Sequence, residues 1–241
     1  MPPLQEIKTL FHIAFSPIRG ATHADRLNSF YAGQATGYDA FRKRLLRSRE
    51  ALFASLDYPE NGVWVDLGGG TGANLENARP ALKKLQHIYI VDLCKPLLEV
   101  ARQRIAANQW DNVTAVEADA TAFQPPEGHA DLVTFSYSLT MIPDWHKAIA
   151  HAARLLRPGG RIGVVDFYVS RKYPAEGCRK HGWCTRSFWP LWFGIDNVFL
   201  SPDHLPVLCD TFVPRAVVEE KAPVPYMPFR VPMYRFIGEK H

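Results

Sequence analysis

Cysteine is scarce in this chain of 241 residues. The four cysteines, Cys94, Cys178, Cys184 and Cys209, are too few and too unevenly spaced for a disulfide scaffold, and a reducing, cytoplasmic setting is expected. CRKHGWC brings Cys178, His181 and Cys184 together in sequence, but no fourth ligand follows at zinc spacing, so no metal is expected. No run approaches the ~20 apolar residues of a membrane span. The start, MPPLQEIKTLF, lacks a basic front and a long apolar core, so no secretory signal is expected and the chain reads as soluble or peripheral on a membrane. Internal repeats and low-complexity tracts are missing too. The charge balance is nearly even, with a net charge of +4. Its one concentrated basic stretch, FRKRLLRSRE, is open between an anionic partner and a solvated helix face.

What is present is apolar: 47% of the residues are hydrophobic, enough for one substantial core. The most informative stretch is VWVDLGGGTG, Val63 to Gly72. An apolar run that stops at an acid and breaks into glycines is a buried strand feeding a tight turn that can approach a ligand closely. Gly68, Gly70 and Ala73 satisfy the dinucleotide pattern G-x-G-x-x-G/A, with Asp92 downstream to hold a ribose. Gly68, Gly70 and Gly72 after Asp66 equally suit the amino-acid end of S-adenosylmethionine. The turn alone leaves both open.

Along the chain, Leu4, Ile7, Phe11 and Phe15 mark an amphipathic helix that Ser16-Pro17 ends. Asp25 is expected to cap a short helix through Tyr31, and TGYDAFRKRLLRSREALFASL reads as one long helix. After Asn61-Gly62 strands and helices alternate. Strands are expected at Val63–Leu67, His87–Asp92, Val113–Ala118, Asp131–Tyr137 and Arg161–Val169, and helices at Ala73–Leu85, Pro96–Asn108 and Trp145–Leu156. This order implies a parallel sheet covered on both faces, with its ligand outside the strand carboxyl ends. A tail rich in aromatics, proline and cysteine follows, then two strands at Arg215–Lys221 and Val231–Ile237, an ending that suits a seven-stranded methyltransferase better than a dehydrogenase. The expected organisation is an N-terminal helical lid (1–57) and a core (58–241) with an insertion at 170–213.

Several features past the turn agree. Asp92 ends the second strand, where a carboxylate can accept both ribose hydroxyls. Asp119, in VEADAT, ends the third, within reach of an adenine amino group. The fourth strand brings Ser136 and Tyr137 to the ligand edge, and LLRPGGRIGVVD supplies a proline-glycine turn before the fifth. Together these resemble the class I S-adenosylmethionine-dependent methyltransferases, in the subgroup of quinone and lipid methyltransferases, over roughly Val63 to Val169. The resemblance implies an α/β, Rossmann-like seven-stranded sheet. It implies that Asp66 with Gly68, Gly70 and Gly72 holds the methionine end, that Asp92 holds the ribose, and that adenine packs between Leu93 and the Asp119–Ala120 region. Gly69 stands where many relatives carry another residue. No Asn/Asp-Pro-Pro-aromatic tetrad follows strand four, where the sequence reads SYSL, so no nucleic acid is expected as partner.

The segment FYAGQATGYDAFRKRLLRSRE resembles the N-methyltransferase of betaine-lipid synthesis, which methylates diacylglyceryl-homoserine to the trimethyl lipid. The match falls on Tyr31, Tyr38, Asp39, Arg42, Leu45, Leu46, Arg49 and Glu50, with Ser48 where relatives often show glycine. It implies a lipid headgroup as substrate, an upstream enzyme that makes that lipid, and peripheral membrane contact. The product would be a quaternary ammonium, which aromatic faces attract. Tyr31, Tyr38 and Tyr137 are therefore the candidate catalytic residues, and Arg42 and Tyr168 the candidate substrate contacts. Tyr137 or a water is the candidate proton acceptor, and His146 reads as a helix-start residue. SFWPLWFGIDNVFL, Ser187 to Leu200, is open between an acyl- or bilayer-contacting surface and a buried cover on the sheet. A C- or O-methyltransferase of a quinone or small molecule, and a non-catalytic cofactor-binding protein, are the alternatives.

Overall fold

The computed structural model describes residues 20–31, 45–194, 198–225 and 229–241. In chain order the elements are α1 (His23–Tyr31), α2 (Arg49–Ser55), β1 (Val63–Leu67), α3 (Asn74–Asn77), α4 (Arg79–Leu82), β2 (His87–Asp92), α5 (Lys95–Asn108), β3 (Val113–Glu117), β4 (Ala130–Ser136), α6 (Trp145–Leu155), β5 (Leu156–Phe167), α7 (Trp183–Gly194), α8 (His204–Thr211), β6 (Val213–Pro223) and β7 (Arg230–Glu239). The strands form one sheet in the order β3-β2-β1-β4-β5-β7-β6. Neighbours from β3 to β5 are parallel, and β7 runs antiparallel to both β5 and β6.

Strand alternation divides the core into two layers. Val63, Val65, Leu67, Tyr89 and Val91 face the layer closed by Ile149 and Ala152 of α6 and Leu205 and Leu208 of α8. Trp64, Ile88 and Ile90 face the other, closed by Leu52 and Phe53 of α2, Leu75 of α3, Leu98 of α5 and Trp189 of α7. Five of five β1 residues are buried, which is why its sequence is apolar on both faces except at Asp66. The fold is the Rossmann-like, seven-stranded α/β fold expected.

Several boundaries differ from expectation for local reasons. The helix expected over Ala73–Leu85 is two short ones, because Pro80 lacks an amide donor and restarts the chain near the beginning of α4. Asp25 is not the cap of α1. Thr22 occupies that place, its Oγ1 accepting the Asp25 amide while the Asp25 carboxylate accepts the Thr22 amide, both at 3.1 Å. The single long helix expected through Leu56 does not run unbroken, since Ser48 is left-handed (φ 62°) just before α2. Pro158-Gly159-Gly160 lies within β5, at an irregularity where pairing passes from Ala130↔Leu156 to Leu132↔Arg161. The helix expected over Leu4–Phe15, and Tyr38, Asp39 and Arg42, lie outside the described residues.

The two described helices of the N-terminal segment do different work. α2 is core: the Phe53 ring lies 5.8 Å from that of Trp64. α1 crosses the carboxyl edge of the sheet, where the Asn28 side chain accepts the Lys95 amide at the start of α5 at 3.0 Å.

Candidate cofactor site

Strand order places the site. β1 lies between β2 and β4, so connections leave it in opposite directions and a crevice opens above its carboxyl end. The turn from Gly68 to Gly72 fills the floor of that crevice. Gly68 sits at φ +71°, and a Cβ there would stand 2.4 Å from the Ser138 Cβ, so no side chain fits. Its amide and that of Gly69 both donate to the Val91 carbonyl, at 2.8 and 3.1 Å.

Asp92 ends β2 and ties the two loops together. One carboxylate oxygen accepts the Gly70 amide at 2.9 Å, and the other accepts the Cys94 amide at 2.8 Å. Burial pushes its pKa up to about 6, opposed by the backbone donors at Cys94, Gly70 and Leu93. Asp92 lines the cavity, and a carboxylate has acceptor capacity beyond these backbone bonds to which a ribose diol can donate.

The cavity is about 410 Å³, of the size that takes a nucleoside-bearing cofactor. Gly68, Gly70, Asp92, Leu93, Asp119, Ala120 and Ser136 all line it, as do Tyr31 and Tyr137. Asp119 uses one carboxylate oxygen to hold the Thr121 amide and hydroxyl, both at 2.7 Å.

Three expected site residues are elsewhere. Asp66 is fully buried beneath the turn and takes no part in the lining. Its oxygens accept the Thr134 hydroxyl at 2.6 Å and the Asn74 side-chain amide at 2.9 Å. Burial raises its pKa, and those hydrogen bonds and the Arg49 charge oppose the rise. Asp66 therefore acts through Asn74, which does line the cavity. Gly72 is also behind the wall: a Cβ there would meet Ile90 at 2.7 Å. Tyr168 lies on the opposite side of β5, its ring 5.4 Å from that of Tyr234 and 5.1 Å from that of His181. Strand alternation is the reason, since Phe167 faces one layer and Tyr168 the other. Tyr168 is thus no substrate contact in this fold.

Tyr137 reaches the wall, but not as a proton acceptor. Its hydroxyl donates to the Arg47 carbonyl at 2.6 Å, and burial holds its pKa well above the phenol range. The Arg49 guanidinium lies 5.6 Å above its ring. His146 is on the exposed surface of α6. Among the described residues no group of three His, Cys, Asp or Glu side chains could hold a metal. Cys178 and Cys184 are exposed, while the His181 ring accepts the Ser170 amide at 2.9 Å.

Arg49, part of the matched N-terminal segment, lines the cavity, and lining residues without an earlier signal include His23 and Arg26 of α1, Asn74 and Met141. Burial, then the neighbouring Arg26 charge, lower the His23 pKa. Asn74 follows the glycine turn and could have been sought there, whereas His23 and Met141 reach the cavity only through tertiary packing.

These residues fit S-adenosylmethionine. The Asp92 carboxylate matches the diol, and Leu93 and Ala120 offer apolar surface to adenine. Among the described residues, the buried Ser136 Oγ and Asn74 Oδ1 of the lining have no hydrogen-bond partner, which is the kind of unsatisfied polar group that a bound polar ligand can satisfy.

The comparisons agree with that chemistry. Residues 65–160 match the family model described as a methyltransferase domain. The ubiquinone/menaquinone biosynthesis C-methyltransferase UbiE of Psychromonas ingrahamii is 26% identical over 162 residues, 65% of this chain and 64% of the relative. The corresponding protein of Ectopseudomonas mendocina is 25% identical over 68% of this chain and 66% of its own. The chain thus spans just under two thirds of the length of these curated relatives. Among solved structures, Haemonchus contortus phosphoethanolamine N-methyltransferase 2, in complex with phosphomonomethylethanolamine and S-adenosylhomocysteine, superposes with a TM-score of 0.65 at 15% identity, covering 92% of this chain and 60% of that one. The [4+2]-cyclase SpnF superposes with a TM-score of 0.68 at 15% identity, covering 94% and 99%, so the fold by itself does not specify methyl transfer. The matched residues 65–160 include the turn, Asp92, Asp119 and Ser136, so this part of the chain matches a methyltransferase domain, in a fold of the class I type, and its cavity has the chemistry that fits S-adenosylmethionine as cofactor.

Proposed function

We propose that this protein is an S-adenosylmethionine-dependent N-methyltransferase acting on the amine of diacylglyceryl-homoserine, giving the trimethyl betaine lipid. The observation that carries the reading concerns the segment Phe30 to Glu50, which resembles the betaine-lipid enzyme. Its described ends, Tyr31 and Arg49, both line the cofactor cavity. Two described residues of the stretch that resembles that enzyme thus lie at the cofactor cavity, which supports the reading.

Bound S-adenosylmethionine supplies an electrophilic methyl group on a sulfonium. The chain's own part is to bind, align and exclude water. Asp92 and the glycine turn anchor the cofactor. Arg49 is a cation suited to the acceptor's carboxylate, and Tyr31 and Tyr137 offer ring surface to an amine that ends as a quaternary cation. The amine must lose a proton before each transfer; the Tyr137 hydroxyl is engaged as a donor to the Arg47 carbonyl, and we assign the role of acceptor to water. Such a substrate requires an upstream enzyme that attaches the homoserine unit to a diacylglycerol.

A second reading, C-methylation of a prenylated quinone, is supported by what the curated relatives are named for. Methyl-labelled S-adenosylmethionine incubated with the purified protein and either diacylglyceryl-homoserine or a demethylated quinone separates the two. Mono-, di- and trimethylated lipid supports the first, and labelled quinone replaces it. Cofactor binding without labelled product from any acceptor indicates a non-catalytic binding protein.

A further inference from the structure

We propose that the outer face of α7 docks this protein onto an anionic phospholipid bilayer. The inference does not depend on which acceptor is methylated.

The helix has two apolar sides, and only one is used by the fold. Trp189 and Phe193 are buried in the core, with the Phe193 ring 5.0 Å from that of Phe167. Trp183, Phe188, Leu191 and Trp192 are exposed, Trp183 at 74% and Leu191 at 76%. At 100° per residue these four span one half-turn of the helix, and the exposed positions among them, Cys184 and Ser187, are small and uncharged. An ordinary surface helix turns charge outward; this one turns out two tryptophans, a phenylalanine and a leucine. Phe229 extends the patch, its ring 5.9 Å from Phe188 and half exposed. An apolar surface of this kind on a soluble domain marks an interaction site, and tryptophans favour the bilayer interface.

The charge around the patch selects the occupant. The sequence from Arg171 to Gly194 carries five basic residues, Arg171, Lys172, Arg179, Lys180 and Arg186, and one acid, Glu176, with Arg171 paired to Asp203 at 2.6 Å. Lys172 and Lys180 both hold their ammonium groups over the exposed Tyr173 ring, at 5.3 and 5.7 Å. Cations bordering an aromatic face are the complement of anionic headgroups above an acyl layer. A second copy of the chain would bring these like charges together across the contact. The opposite, buried side of the helix leads to the cavity wall: Phe193 packs on Phe167, and Phe167 lies 4.7 Å from Tyr137, a cavity residue.

The test is co-sedimentation of the full chain with vesicles of phosphatidylcholine, with and without about one third phosphatidylglycerol. The double variant Trp183→Ser/Leu191→Ser is run beside it, along with Lys172→Glu/Lys180→Glu, and each variant is checked for S-adenosylmethionine binding as evidence of folding. Binding to the anionic vesicles, weakened roughly tenfold or more by either pair with cofactor affinity retained, is the expected result. No vesicle binding by the unaltered protein, or equal binding by the serine variant, overturns the proposal. So does a dimer in solution that the serine variant dissociates, which would assign the face to a second copy. If the serine pair fails to fold, the lysine pair alone decides.

Discussion

Asp92 accepts the Gly70 amide at 2.9 Å and the Cys94 amide at 2.8 Å, so one carboxylate joins the turn after β1 to the turn after β2. It is at once a brace of the cavity floor and, among the described residues, the cavity acid with both oxygens fixed by backbone donors. Replacing it with alanine removes the brace and the diol acceptor together. At ~1.5–3 kcal/mol for a hydrogen bond to a charged group, S-adenosylmethionine binding should weaken about a hundredfold, as read by calorimetry. Near-normal affinity in Asp92→Ala would mean that the ribose is held elsewhere.

The same residue gives a pH dependence with two signs. Its pKa is raised from 3.8 to about 6 by burial, so below about 6 it gains a proton and loses acceptor capacity. Cofactor affinity should therefore fall as pH drops through 6. The folded chain binds more protons here than the unfolded chain between those values, so this group's contribution to stability rises as pH falls from 6 toward 4. Loss of affinity accompanied by a parallel loss of melting temperature that Asp92→Asn leaves unchanged would contradict the assignment.

Gly68 and Gly128 provide a matched pair. Both have positive φ, +71° and +76°, but only Gly68 has a neighbour within contact of a new Cβ. Gly128→Ala should cost about 1 kcal/mol, from backbone strain alone. Gly68→Ala should cost several-fold more in urea denaturation and abolish cofactor binding, because Ser138 and the end of β4 must move. Equal costs would show that the turn yields to a side chain at Gly68.

Thr134 links two buried groups: its hydroxyl accepts the Trp64 indole N–H at 2.8 Å and donates to Asp66 at 2.6 Å. Valine is nearly the same shape but leaves both partners unsatisfied, so Thr134→Val should destabilise the protein by about 2–4 kcal/mol. A melting temperature unchanged in the variant would argue that water reaches this layer.

Tyr137→Phe removes a hydroxyl that donates to Arg47 and leaves the ring beneath Arg49. We expect a stability loss of about 1 kcal/mol and a pH–rate profile for methyl transfer with the same apparent pKa values as the parent. A limb that vanishes from the profile would return Tyr137 to a proton-transfer role.

Much of this was readable beforehand, and the reasons are local. The apolar runs at Val63–Leu67 and His87–Asp92, the glycine turn and the acid at each strand end predict the parallel sheet and its ligand edge, because strand burial and turn geometry depend on neighbouring residues. The aromatic tail was undivided in sequence: Trp189 and Phe193 went inward, and Trp183 and Leu191 outward. Which side of a helix meets the core is set by the sheet beneath it.

By itself, then, the sequence determined the order of strands and helices, the glycine turn and the placing of Asp92 at a strand end. Only the tertiary structure decided which acid reaches the cofactor. Asp66 and Asp92 look alike in VWVDLGGG and IYIVDLC, yet the register pairs Asp66 with Ile90 and Leu67 with Val91. Asp92 thus stands one residue beyond the last paired position of β1, over the edge, while Asp66 points into the helix-covered layer against Thr134 and Asn74. Side-chain direction alternates along a strand, and where the sheet ends relative to that alternation is a property of neighbouring strands, not of either strand alone.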